Sequence, residues 1–493
     1  MNYKSTRNSE NIVTPSQAIL QGLATDGGLY VPESFPKFDL DWDKLSQFTY
    51  QEMAQFILKP FLSDFSDDQL DRCIELAYDN KFDTEAIAPV VEIDNHYHLE
   101  LFHGSTIAFK DMALSILPYL MKTSAEINHN NNEIVILTAT SGDTGKAAMA
   151  GFSDVPGTKI IVFYPKGGVS SIQEQQMLTQ TGENTHVVSI VGNFDDAQTE
   201  VKNLFNDIVL RDELQSYNSQ FSSANSMNIG RLVPQIVYYF YAYAQLVKQG
   251  KVKAGSDIDF SVPTGNFGNI LAGYYAKRSG LPIGKLLCAS NDNKVLYDFF
   301  QQGEYNRQRE FILTISPSMD IIVSSNLERL VFHAVGEDSA RLSELMNQLS
   351  QDGRYALTDN ERSHFSNFLS DYVTEDETKE EINYVYKQTN YIMDTHTAVA
   401  SKAWRNLNQQ GLTTNPTIIV STASPYKFPE AVLSALGVEA ESLNDNELLT
   451  QLNNLSKVPF PPAIDGLLDA TRLHDTTIEV SEMREFVQNV AKK

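Results

Sequence analysis

The sequence predicts an α/β protein with mainly parallel sheets flanked by helices. Three observations predict it. From residue 93 onward, short β-branched runs alternate with helix-like stretches. Three of those runs pass directly into loops rich in Gly, Ser and Thr: Ile134–Leu137 into TATSGDTGKAA, Ile258–Val262 into PTGNFGN, and Thr417–Val420 into STASPYKF. The stretch Met227–Lys248 is apolar almost all round, as a buried helix must be. Loops at the carboxyl ends of parallel strands gather where such folds bind ligands.

Residues 1–92 read as a small, mostly helical domain. Val13–Ala24 carries an apolar stripe with Ser16 as its cap. DGGLYVPE, Asp26–Glu33, is turn-rich, and two amphipathic helices follow, each introduced by Thr or Ser. Residues 93–435 form the α/β core. Its further strands are Lys159–Pro165, His186–Gly192 and Lys285–Asn291, with helices over Ser170–Thr181, Asp195–Leu210 and Asn269–Ser279. The polar stretch 293–390 interrupts the alternation and reads as a largely solvated helical insertion. Residues 436–493 read as an acidic extension packed on the core, broken by Pro459–Pro462.

The chain has 493 residues, 42% of them hydrophobic, with a formal net charge of −25. That balance argues against a general nucleic-acid or anionic-membrane binder. An anionic substrate must therefore meet a locally positive pocket made by few residues. Two distant cysteines offer neither a disulfide framework nor zinc spacing. The sequence shows no signal core and no membrane-length apolar run, so a cytoplasmic protein is expected.

The stretch Leu99–Ala113, LELFHGSTIAFKDMA, places Lys110 at a helix start after a Gly/Ser/Thr turn. Backbone N–H groups and the positive dipole end disfavour a second positive charge there, which eases deprotonation of the amine. An unprotonated amine is what a carbonyl cofactor needs for a Schiff base. A lone lysine in this place is far more often an ordinary solvated one; the other loops reverse that balance. In PTGNFGN, Gly265 and Gly268 let N–H groups approach an anion, and the following helix adds its dipole. The motif is neither a Rossmann fingerprint nor an ATP P-loop, and a plain structural turn also fits it. SGDTGKAA sets Ser141 and Thr144 at a helix start, suited to an anion or to simple capping by Asp143. SANSMNIGR offers the Asn225 amide, the Ser226 hydroxyl and the Arg231 guanidinium for oxyanion contact. His396 in DTHTAVA fits either a site residue or a structural histidine at a helix start.

Taken in order, YKSTRN, DGGLYVPE, HGSTIAFKD, SGDTGKAA, SANSMNIGR, PTGNFGN, SPSMDI, DTHTAVA and STASPYKF resemble the threonine synthase family over nearly the whole chain. The resemblance implies a fold-type II pyridoxal-phosphate (PLP) enzyme, a carbon–oxygen lyase acting on phosphates. It implies Lys110 as the Schiff-base lysine and proton-transfer amine. It implies Gly265, Asn266, Phe267, Gly268 and Asn269 as the cofactor phosphate cradle, with Thr422 as the partner of the ring nitrogen. Ser141, Thr144, Asn225, Ser226 and Arg231 would bind O-phospho-L-homoserine, giving L-threonine and phosphate by γ-elimination and β-addition of water. The family carries Pro where this chain has Ser105, and His where it has Ser424. A serine/threonine dehydratase or a related phospholyase is the alternative; a monomer or homodimer is expected.

Overall fold

A computed structural model describes all residues except Ser141, Ser170 and Lys493, and leaves out the side chains of Asp143 and Asp195. Two sheets dominate it. The six-stranded sheet runs Phe368–Tyr372, Ile283–Ser290, Ile258–Pro263, Thr417–Ser421, His96–Glu100, Val90–Ile93. The five-stranded sheet runs Thr476–Glu479, Thr185–Val191, Thr158–Pro165, Glu133–Ala139, Ser219–Ser222, and every pairing in it is parallel. The first sheet is parallel apart from the hairpin Val90–Ile93/His96–Glu100. That hairpin turns through Asp94 and Asn95, both at positive φ, which is what a two-residue hairpin loop requires.

The expected fold class is observed, with helices flanking both sheets. Several elements differ from the reading of the sequence. The first helix, Pro15–Gln21, is capped by Thr14, which accepts the Gln17 N–H; Ser16 lies inside the first turn. The expected helix Asp195–Leu210 is two, Phe194–Asn206 and Ile208–Ser216, because Asp207 ends one and caps the next. The buried stretch Met227–Lys248 is likewise broken. Asn228 caps Ile229–Leu232, and Pro234, lacking an N–H, opens Pro234–Lys248.

The segment 293–390 is not simply helical and solvated. Phe368–Tyr372 pairs with Ile283–Ser290 as an edge strand of the six-stranded sheet. Helix Leu327–Ala334 within it is buried along its whole length. The C-terminal extension supplies Thr476–Glu479, which pairs with Thr185–Val191 and completes the second sheet. At the other end, Tyr3–Ser5 pairs with Ile12–Val13 and Tyr30–Pro32 in a small antiparallel sheet. One continuous apolar core runs from Tyr3 through the Tyr238–Tyr243 helix to Val420, so the N-terminal segment is packed into the core. Among the described residues, no helix is long and apolar enough to cross a membrane.

Candidate active site

Strands Ile258–Pro263, Thr417–Ser421 and His96–Glu100 are consecutive, parallel neighbours. Their carboxyl ends release PTGNFGN, STASPYKF and HGSTIAFKD side by side. In the other sheet, Glu133–Ala139 and Ser219–Ser222 are also parallel neighbours. They release the SGDTGKAA loop and the SANSMNIGR loop.

Lys110 is half-buried, with helical backbone angles, immediately before the four-residue helix Asp111–Leu114. The preceding turn is held from inside. The Asp111 carboxylate accepts the Thr106 N–H at 2.8 Å and the Thr106 hydroxyl at 2.6 Å. Lys427 Nζ donates to the Thr106 carbonyl at 2.8 Å. Burial raises the Asp111 pKa, and these hydrogen bonds only partly oppose it. Gly104 is required because a Cβ there would stand 2.6 Å from the Asp111 carboxyl group. Ile107 takes φ 52°, a strained value for a β-branched residue.

The Lys110 loop is zipped to the Thr422 loop. Ala108 and Ala423 form an antiparallel bridge. Phe109 N–H donates to the Thr422 carbonyl at 2.8 Å, and Ser424 N–H donates to the Ile107 carbonyl at 3.0 Å. Thr422 and Ser424 are both buried. The Ser424 hydroxyl accepts the Tyr426 N–H at 3.3 Å and caps the turn Pro425–Lys427.

In PTGNFGN, a Cβ on Gly265 would lie 2.5 Å from the Ser318 carbonyl, so only glycine passes there. Asn266 is exposed and Gly268 half-buried. Phe267 is buried at φ 64° immediately before helix Gly268–Arg278. The Asn269 Oδ1 accepts the Tyr239 hydroxyl at 2.7 Å, which fixes the amide and leaves Nδ2 buried without a partner among the described residues.

In the second sheet's loops, Thr140 Oγ1 accepts the N–H groups of Gly142 and Gly145, both at 3.0 Å, and shapes the turn before helix Asp143–Phe152. Thr144 is half-buried; Ser141 lies outside the described residues. Asn225 and Ser226 are half-buried, and Ser226 Oγ is 3.4 Å from Ser325 Oγ. Arg231 is buried. Its Nη1 donates to the Ala224 carbonyl at 3.0 Å, and its Nε has no partner among the described residues. Burial draws its pKa down to about 10.

Sequence reasoning missed the residues that join these loops. Ser324 Oγ donates to the Gly265 carbonyl at 2.7 Å, and Ser325 Oγ donates to Asn266 Oδ1 at 3.4 Å. Asn326 and Arg329 follow on the same segment. The signal was the polar triplet Ser324–Asn326 ahead of an apolar helix pattern. His396 proves to brace the 317–319 turn. Its Nε2 accepts the Ser318 N–H at 3.1 Å, so Nδ1 carries the proton and donates to Asp394 at 2.8 Å.

Comparison with known proteins agrees with this layout. The chain matches the families described as "Threonine synthase N terminus" over residues 2–78, "Pyridoxal-phosphate dependent enzyme" over 84–357, and "Threonine synthase, C-terminal" over 397–486. It is 35% identical to threonine synthase of Schizosaccharomyces pombe, covering 96% of this chain and 94% of that one. The PLP-bound threonine synthase of Brucella melitensis superposes with a TM-score of 0.89 at 36% identity, covering 100% of both chains. The chain belongs to the threonine synthase family of pyridoxal-phosphate dependent enzymes. It is also 38% identical to "Threonine synthase-like 1" of Homo sapiens over 96% of this chain, and spans 66% of the length of that longer relative.

The threonine synthase cofactor fits the residues present. A buried donor without a partner costs about 1–3 kcal/mol. Asn269 Nδ2 is such a donor in the first turn of the helix that follows PTGNFGN. A phosphate oxygen in that turn would satisfy it, alongside the backbone N–H groups of the glycine loop.

Proposed function

We propose that this protein is a threonine synthase that converts O-phospho-L-homoserine and water to L-threonine and phosphate. One observation carries the reading: three cofactor-type loops leave consecutive strands of one sheet, and two anion-type loops leave neighbouring strands of the other.

When bound, PLP supplies an electron sink for negative charge at the substrate α-carbon. The chain's residues do the rest. Lys110 anchors the cofactor, and its amine takes and returns the α-proton. Gly265, Asn266, Phe267, Gly268 and Asn269 hold the cofactor phosphate with backbone N–H groups and the Asn269 amide. Thr422 offers a hydroxyl to the ring nitrogen; a neutral partner leaves that nitrogen largely unprotonated. Ser141, Thr144, Asn225, Ser226 and Arg231 hold the substrate phosphate, whose charge rises as its bond to the γ-carbon breaks. Contacts that tighten with that charge lower the barrier as well as aiding binding. The β-carbon gives up a proton as the phosphate leaves, the γ-carbon takes one up to become the methyl group, and water then supplies the hydroxyl at the β-carbon.

The acidity of the chain supports a protein that binds neither nucleic acid nor anionic membrane, and we assign it to the cytoplasm as a monomer or homodimer. The test is to incubate purified protein with O-phospho-L-homoserine and assay both products. Threonine and phosphate in equal amounts are expected. Phosphate with 2-oxobutyrate in place of threonine would indicate a lyase of another specificity.

A further inference from the structure

The buried guanidinium of Arg329 meets three separate parts of the chain. Its Nε donates to the Tyr30 carbonyl at 2.9 Å, in DGGLYVPE. Its Nη2 donates to the Met227 carbonyl at 2.6 Å, in the SANSMNIGR loop. Its Nη1 donates to Asn326 Oδ1. That last bond decides the orientation of the Asn326 amide. With Oδ1 taken as an acceptor, Nδ2 must donate. It does so to the Ser226 carbonyl at 3.2 Å and the Asn266 carbonyl at 3.0 Å. The Asn326 N–H donates to the same Asn266 carbonyl at 3.1 Å.

Resting on the functional reading above, we propose that Arg329 is the positioning residue that sets the distance between the cofactor-phosphate loop and the substrate-phosphate loop. Through Asn326 it fixes Asn266 on one side and Ser226 on the other, and it fixes Met227 directly. Its fully buried side chain makes all three bonds to neutral oxygens, so what it contributes is the geometry of its planar fork.

The arrangement also gives the N-terminal segment a task. Glu328, the preceding residue, accepts the Thr6 hydroxyl at 2.7 Å and pairs with Arg7 at 2.8 Å. The YKSTRN and DGGLYVPE motifs therefore both grip the start of helix Leu327–Ala334. They act on the active site through it.

A planar fork with three acceptors cannot be replaced by an ammonium group. Arg329→Lys should keep the charge and lose the register. Two readouts besides turnover report on it: PLP affinity by titration of the apoprotein, and the 31P resonance of the bound cofactor. We expect Arg329→Lys to weaken PLP about tenfold, shift or broaden the 31P signal, and raise KM for O-phospho-L-homoserine more than it lowers kcat. To separate loss of the link from loss of the fold, Asn326→Ala is the second variant. It keeps the bonds from Arg329 to Tyr30 and Met227 and the backbone bond from residue 326 to the Asn266 carbonyl, and removes the side-chain link from Arg329 to Asn266 and Ser226. We expect a folded protein with a melting temperature somewhat below wild type, because Arg329 Nη1 loses its acceptor, and PLP affinity still several-fold weaker. Wild-type PLP affinity and 31P signal in Asn326→Ala, or in a folded Arg329→Lys protein, would overturn the proposal. Wild-type protein that binds PLP but makes no threonine would instead overturn the functional reading.

Discussion

The backbone N–H of Phe109 donates to the carbonyl of Thr422 at 2.8 Å. This single bond, with the Ala108–Ala423 bridge beside it, places the residue before Lys110 against the proposed ring-nitrogen partner. The lysine and the threonine are thus set relative to each other by main chain, which side-chain substitution leaves intact.

It follows that Thr422→Asp should fold normally while changing the chemistry. A carboxylate beside the ring nitrogen favours its protonated form, and a protonated ring is a stronger electron sink. The visible absorption band of the holoenzyme should shift and side products should increase. An unchanged spectrum with unchanged products would remove Thr422 from the ring.

Asn269→Leu tests the cradle. The substitution removes a buried donor that has no partner among the described residues. Without cofactor the variant should stay near wild-type stability, because the Tyr239 hydroxyl loses Oδ1 as an acceptor but keeps the Asn269 carbonyl at 3.0 Å. With cofactor it should gain less on PLP addition, read as a smaller rise in melting temperature. An undiminished rise would show that the amide does not touch the phosphate.

Arg231→Ala should lower kcat and kcat/KM together, by about 2–4 kcal/mol of transition-state stabilisation in a site that excludes water. Arg231→Lys should recover part of this. The guanidinium already holds the Ala224 carbonyl, so a purely structural role predicts something else. In that case melting temperature would fall while the folded fraction kept near-normal kcat.

His103 should make stability pH-dependent. Burial alone would lower its pKa. Hydrogen bonds to Asp83 at 2.5 Å and Glu100 at 2.9 Å outweigh that and raise it to about 9. A raised folded pKa means the stabilisation is complete below the unfolded value near 6.5 and is lost as pH climbs through about 9. Wild-type melting temperature should therefore fall between about pH 7 and 10 more steeply than that of His103→Gln. Parallel curves would contradict this.

Much of the site was legible because it depends on local pattern. Gly265 and Thr422 lie in loops that directly follow β-branched runs, Lys110 follows the apolar start of Leu99–Ala113, and parallel-sheet geometry brings such loops to one edge. Arg329 and Asn326 were not legible, because their meaning lies in contacts across about 60 to 300 residues of chain. The strand Phe368–Tyr372 was hidden for a related reason. It is an edge strand whose sequence is half polar, so it carries no run of apolar residues. The break at Val233 is masked in the sequence by apolar residues on both sides of it, with Pro234 as its mark.

Among the lysines near these loops, Lys146 is the nearest competitor to Lys110 as the cofactor's anchor. Burial and then the Lys427 charge draw its pKa down to about 8. Its Nζ, however, donates to Gln180 Oε1 at 2.6 Å. The most direct test is to reduce the PLP-loaded enzyme with borohydride, digest it, and locate the modified lysine by mass spectrometry. The cofactor mass should be found on Lys110 alone. Its recovery on Lys146, or on any other lysine, would contradict the central assignment.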